Sequence, residues 1–248
     1  MRAIEETASL IDLVVEVRDA RVPRATAVAS LHPKLRAKPR LTLLNREDLA
    51  EPAATARWLA ALRGERPAYA TTGTQAASLH GVRTAIVNAP RRRATLHVAV
   101  VGAPNTGKSS VINGLSRRKR AVAQDRAGVT RHVRWLALAP GIELLDTPGV
   151  LPPKIVGADM AWQLAATGCL PEKAYDAEDV VERLAAWMRE HENGTAAARF
   201  DIAEFARARG MLRKGGEVDR AGAARKLLSD FRSGVLGRFT FELPREGT

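Results

Sequence analysis

The chain has 248 residues, and its 39 Lys and Arg against 27 Asp and Glu give a formal net charge of +12; at 46% apolar it can bury a core, which excludes disorder of the whole. A single Cys169 excludes a disulfide framework or a Cys-built zinc site, and 4% aromatic content argues against recognition by rows of stacked rings. No apolar run reaches the roughly 18 residues of a membrane helix, which leaves a protein of a reducing cytoplasm whose cationic surface suits a polyanionic partner.

In chain order, residues 11–17 (IDLVVEV) read as a buried strand, short and rich in branched side chains. Residues 40–45 and 67–71 read as two more strands, and Ala-rich segments at 25–37, 52–63 and 75–88 have helical character. Residues 89–95 (APRRRAT) resemble a linker; a strand at 96–102 then runs into a Gly-rich turn and a helix from about Ser109, with strands at 133–139 and 142–146 beyond. Strands alternating with helices predict a mostly parallel α/β sheet covered on both faces. After Pro152-Pro153 the strands stop, and helical periodicity takes over at 157–168, 177–191, 200–209 and 219–231. The expected organisation is a domain over 1–152, in halves 1–88 and 96–152, followed by an all-α domain over 153–248.

Charge is uneven along this plan. Residues 1–95 hold 16 basic and 9 acidic side chains, residues 96–150 hold 8 and 3, residues 151–206 hold 5 and 10, and residues 207–248 hold 10 and 5. The excess positive charge therefore belongs to the α/β part, and the basic residues of the helical part gather at its far end.

The strongest chemical signal is Gly102-Ala103-Pro104-Asn105-Thr106-Gly107-Lys108-Ser109, which fits G-x-x-x-x-G-K-[ST] between a strand and a helix. In such a loop the backbone N–H groups of Asn105, Thr106, Gly107 and the first helical residues through Ser110 face a phosphate chain. Lys108 neutralises its terminal phosphates, and the Ser109 hydroxyl binds Mg²⁺. Asp146-Thr147-Pro148-Gly149 follows the strand IELLD, 38 residues after Lys108. Alone it is an ordinary turn sequence, but there Asp146 can hold the Mg²⁺ through water, and the Gly149 N–H can sense a γ-phosphate. Thr130, in Gly128-Val129-Thr130, is the candidate second Mg²⁺ ligand. Lys108, Thr130 and Gly149 are the expected catalytic positions.

Asn45-Arg46-Glu47-Asp48, after RLTLL, resembles N-K-x-D. The Asp48 carboxylate can accept from the ring N–H and exocyclic amine of guanine, a donor pair adenine lacks. Asn45 would brace the loop, and Arg46, in place of the usual Lys, can stack on the base. Thr72 and Gly73, after the next strand, either contact the base or form a plain turn.

In this chain the guanine-reading element precedes the phosphate loop, the reverse of the order usual in GTPases. That order resembles the circularly permuted ribosome-assembly GTPases of the YlqF/RbgA type, as do Asp19-Ala20-Arg21-Val22-Pro23 after the first strand and the tail from Arg209 to Glu242 (RGMLRKGGEVD…FRSGVLGRFTFE). The resemblance spans nearly the whole chain. It implies a P-loop GTPase domain of permuted order plus a helical domain, GTP/GDP and Mg²⁺ as ligands, and docking on the large ribosomal subunit precursor and its rRNA by a monomeric, cytoplasmic protein. It points to Arg209, Arg213, Lys214, Arg225, Lys226, Arg232 and Arg238, then Arg91–Arg93, as RNA contacts, although each alone is an ordinary solvated charge. It also implies that Asn105 can hold K⁺ beside the β–γ bridge.

Val150 follows D-T-P-G where many GTPases have a water-orienting Gln. The resemblance implies a catalytic His in an upstream W-F-P-G-H-M segment, and Met1 corresponds to a point several residues beyond it. Slow turnover unless ribosome-stimulated is therefore expected. The alternatives are a nucleotide-sensing RNA-binding module with little intrinsic hydrolysis, or a GTPase acting on another structured RNA.

Overall fold

The computed structural model describes residues 8–28, 31–91, 93–116, 134–146, 158–191 and 197–244. They fall into two compact units: Met1–Lys154 together with Thr240–Thr248, and Ile155–Phe239.

The first unit is built on six strands: β1 (Leu13–Asp19), β2 (Arg40–Asn45), β3 (Ala68–Thr71), β4 (Leu96–Val101), β5 (Arg134–Ala139) and β6 (Ile142–Asp146), in the spatial order β3-β2-β1-β4-β6-β5. All neighbours pair in parallel except β5, which runs antiparallel to β6. The expected mostly parallel sheet is present, and each predicted strand lies within two residues of its expected bounds. Successive side chains of β1 and β4 leave opposite faces of the pleat. Val15, Val17, Val98 and Val100 therefore join a core with α3 (His80–Val87) and α4 (Lys108–Ser116), while Val14, Ala99 and Val101 join a second with Leu35 and Trp135. A smaller cluster holds Leu44 against Trp58 and Leu62 of α2 (Pro52–Arg63). That helix starts where Glu51 accepts hydrogen bonds from the Ala53 and Ala54 amides and Pro52 supplies a preset φ.

The segment 25–37 departs from expectation, for among its described residues the only helix is the four-residue α1 (Pro33–Arg36). Pro33 disfavours helical geometry at His32. Upstream, one turn closes from the Thr26 amide to the Val22 carbonyl and goes no further, since the Val28 amide donates to the Glu16 carboxylate instead.

Because β3, β2, β1, β4 and β6 are parallel, their carboxyl ends share one edge of the sheet. Register places Thr71 beside Asn45 and Asn45 beside Asp19; Val101 precedes the phosphate loop, and Asp146 pairs with Val100. Open α/β sheets bind ligands outside that edge.

The second unit contains α5 (Ala158–Ala166), α6 (Ala177–His191), α7 (Ile202–Ala208) and α8 (Arg220–Arg232). Phe200 and Phe231 meet edge to face, and Phe239 stacks on Phe231. The all-α range expected over 153–248 differs at its end, because the chain from Thr240 onward belongs to the first unit. There the Phe241 amide donates to the Arg21 carbonyl (2.9 Å), and Trp58 Nε1 donates to the Glu242 carbonyl (2.7 Å). No helix among the described residues is long and apolar enough to cross a membrane.

Candidate functional site

At the carboxyl edge the tetrapeptide Asn45–Asp48 and the loop 102–109 are joined by one buried side chain. Asn45 closes β2 and is 2% exposed. Its Nδ2 donates to the Thr106 carbonyl (2.8 Å), and its Oδ1 accepts from the Gly73 amide (2.8 Å) and the Thr71 hydroxyl (3.3 Å). One amide thus braces two loops against a third, and the fixed polarity of its backbone partners sets its orientation. Gly107 has φ +89, and a Cβ there would collide with Asn45 Nδ2. The second glycine of the loop is required both by its backbone conformation and by this close approach.

Asp48 lies in a single 3₁₀ turn, Glu47–Leu49, where its carboxylate accepts from the Thr72 hydroxyl (3.2 Å). Thr72 is itself fixed by Ser78, whose hydroxyl accepts from the Thr72 amide and donates to the Thr72 carbonyl, both at 2.9 Å. Ser78 was not among the expected site residues; a small polar side chain six positions after the loop was its only sequence signal.

In the phosphate loop, Thr106 is fully buried and donates its hydroxyl to the Ala103 carbonyl (3.0 Å). Lys108 Nζ donates to that same carbonyl (2.7 Å), so its ammonium is held within the loop that a phosphate would enter. Asn105 and Ser109 are exposed, and Ser109 and Ser110 lie in the first turn of α4, whose amides and dipole favour an anion. Asp146 ends the neighbouring β6. Its side chain, with Thr130, Gly149 and His132, lies outside the described residues.

Arg46, a residue that can stack on the base, holds its guanidinium here on two protein groups. Nη2 donates to the Asn105 carbonyl (2.8 Å), and Nη1 lies 3.4 Å from the Asp19 carboxylate. Asp19, fully buried, holds Arg21 at 2.9 and 2.7 Å in a two-pronged pair, and Arg21 is 1% exposed.

Burial alone would raise the Asp19 carboxyl, but Arg21, then Arg46, and the Arg21 amide hold it below its ordinary value. Glu16 behaves in the same way: burial opposes its charge, and Arg18, the Val28 amide and Arg40 outweigh it. A carboxylate whose folded pKa is depressed stabilises the fold above its unfolded value, about pH 4, and loses that contribution as pH falls through the folded value. Glu242 has the opposite sign, because burial raises its pKa despite the amides of Arg24 and Ala25; its contribution is lost as pH rises. With two buried carboxylates against one, the urea midpoint of the chain should fall between pH 5 and pH 3, and Asp19→Asn should flatten that slope.

The basic residues expected at RNA differ in their surroundings. Arg232 is drawn inward, donating to the carbonyls of Ala165 and Ala166 and to the Tyr175 hydroxyl, so it secures the end of α5. Arg209 and Lys226 both pair with Asp230, and Arg213 pairs with Asp219. Lys214, Arg225 and Arg238 are exposed.

Among the described residues no three His, Cys, Asp or Glu side chains gather as a metal site. An ion at Ser109 would need the phosphates of a nucleotide as further ligands, which fits Mg²⁺ and its preference for oxygen donors.

Residues 97–205 match the family model described as 50S ribosome-binding GTPase. Ribosome biogenesis GTPase A of Priestia megaterium is 32% identical over 271 residues, covering 99% of this chain and 93% of that protein. YlqF from T. maritima, solved with GNP, superposes with a TM-score of 0.75 at 30% identity, covering 98% of this chain and 97% of that one. YlqF solved with GDP gives 0.74 at 31% identity, covering 97% and 98%.

Proposed function

This chain belongs to the ribosome biogenesis GTPase A family, and on that footing we propose that it is a Mg²⁺-dependent guanine-nucleotide switch that docks on rRNA of the large-subunit precursor in the cytoplasm. The observation that carries this reading is Asn45, whose amide joins the loop after β2 to Thr106 of the phosphate loop, 61 residues further along the chain. A change in the phosphate loop therefore reaches the base-reading loop directly.

Asp48 accepts from the two guanine donors and would release Thr72 to do so. Lys108 turns from the Ala103 carbonyl to the terminal phosphates, while the amides at the start of α4 receive the phosphate chain. Ser109, Asp146 and Thr130 are the residues that would hold Mg²⁺, which would supply charge neutralisation at the phosphates. K⁺ at Asn105 would add positive charge beside them. Catalysis is positioning plus electrostatic stabilisation, and turnover is slow until the ribosomal particle completes the site. The exposed cations Lys214, Arg225 and Arg238 supply salt-sensitive, sequence-independent contacts to RNA phosphates.

The test is single-turnover GTP hydrolysis with and without large-subunit precursor particles. Stimulation by the particles is expected, and equal rates would count against a ribosome-gated switch. Asp48→Asn should weaken GTP binding by about 100-fold or more, because the amide meets the guanine amine with a donor; unchanged binding would remove Asp48 from base recognition.

A further inference from the structure

β1 lies between the two strands whose loops make the nucleotide site, β2 on one side and β4 on the other. Its last residue, Asp19, is in register with Asn45, directly before Arg46. The carboxylate is fully buried, so it reaches no nucleotide. It is also held on several sides: two guanidinium nitrogens and the backbone amide of Arg21 donate to it, and its own amide donates to the Thr26 hydroxyl (3.0 Å). One of its oxygens, Oδ2, faces both Arg21 and Arg46.

Arg46 and Asn105 both have left-handed backbones, with φ of 62° and 57°. Neither is a glycine; asparagine takes this conformation readily, whereas an arginine persists in it only where its surroundings hold it. The guanidinium of Arg46 is a two-ended tie, with Nη2 on the Asn105 carbonyl and Nη1 on Asp19. A lysine, with one nitrogen, has no rigid planar fork to span both.

We propose that Asp19 is a positioning residue for the phosphate loop, acting through Arg46 on Asn105. The proposal rests on reading residues 102–109 as the phosphate loop. On this assignment the D-A-R run has a division of labour: Arg21 keeps the buried carboxylate charged and immobile, and the carboxylate sets where Arg46 can hold the loop. The phosphate loop is then shaped before nucleotide arrives, which lowers the ordering cost of binding.

A double-mutant cycle on Asp19→Asn and Arg46→Met, read by dissociation constants for a fluorescent GDP on the full chain, tests this. Each single variant is expected to weaken binding about tenfold, chiefly through faster release, and the double variant to be no weaker than Arg46→Met alone within about twofold. Multiplying effects would overturn the proposal, since Asp19 would then act by another route. So would binding within twofold of wild type in Asp19→Asn. Should the stranded Arg21 charge prevent Asp19→Asn from folding, Asp19→Asn/Arg21→Met replaces it in the same cycle, with the same expected non-additivity. If the unmutated chain fails to bind the GDP probe, the reading of the site itself falls, an outcome distinct from any failure within the cycle.

Discussion

Asn45→Ala should abolish useful nucleotide binding while leaving a folded but weakened chain. The substitution strands the Gly73 amide and the Thr106 carbonyl, which are the partners of Asn45 Oδ1 and Nδ2 respectively. Leaving a buried polar group unsatisfied costs about 1–3 kcal/mol, so a stability loss of about 3 kcal/mol is expected. The effect on ligand is larger in kind, because the base-reading loop and the phosphate loop lose their common brace; a GDP affinity at least about 100-fold lower is expected. Asn45→Asp separates the two effects. Its carboxylate still accepts from Gly73 but turns an oxygen toward the Thr106 carbonyl, so it should fold better than the alanine variant and bind GDP as poorly. Titration of both variants with a fluorescent GDP, alongside urea melts, checks the pair. Affinity that survives in Asn45→Asp would show that the Thr106 contact is dispensable.

Phe241→Ala is expected to give the largest loss of stability. Phe241 is 8% exposed and its amide donates to the Arg21 carbonyl. Around it, the Glu242 carboxylate accepts from the Arg24 amide (2.6 Å) and the Ala25 amide (3.1 Å), and Thr240 accepts from the Glu51 amide (3.1 Å). Truncating a buried phenylalanine costs about 3–5 kcal/mol. Here the loosened backbone also endangers the Trp58 Nε1 bond to the Glu242 carbonyl. Tryptophan emission from Trp58 should respond in the same urea titration that reports the midpoint. A midpoint within 0.3 M of wild type would mean that residues 240–243 lie on the unit without stabilising it.

Much of this was legible in the residues. β2 and α2 fall where the strand at 40–45 and the Ala-rich segment at 52–63 were expected, because local pattern and tertiary burial agree there. The phosphate loop and Asn45-Arg46-Glu47-Asp48 were legible because their chemistry demands particular residues at fixed spacing. The segment 25–37 misled because alanine content suggests helix, whereas Pro33 bars it at His32 and the Val28 amide is claimed by Glu16, a partner visible only in three dimensions. At Arg46 the tie from the Asn105 carbonyl to the Asp19 carboxylate was not legible, because Asp19 is distant in sequence and comes beside it only in the folded sheet. The end of the basic tail gave no sign of leaving the helical unit. Residues 240–243 carry that return, a stretch too short for its alternation to be read as an element.

The contact between Glu242 and Arg24 spans 218 positions of the chain. On a ribosome making about 5–20 residues per second, Arg24 therefore waits on the order of ten seconds or more for its partner. Until then the amides of Arg24 and Ala25 and the indole of Trp58 must find water or a chaperone instead. A nascent GTPase unit is thus held in a loosened form for the whole interval in which the helical unit is being synthesised. Closing so long a loop adds an entropic cost that grows only as the logarithm of its length, so the delay is kinetic more than thermodynamic. Released chains ending at Phe239 should be much less protease-resistant than the full chain, and the size of that step would measure how late this protein matures.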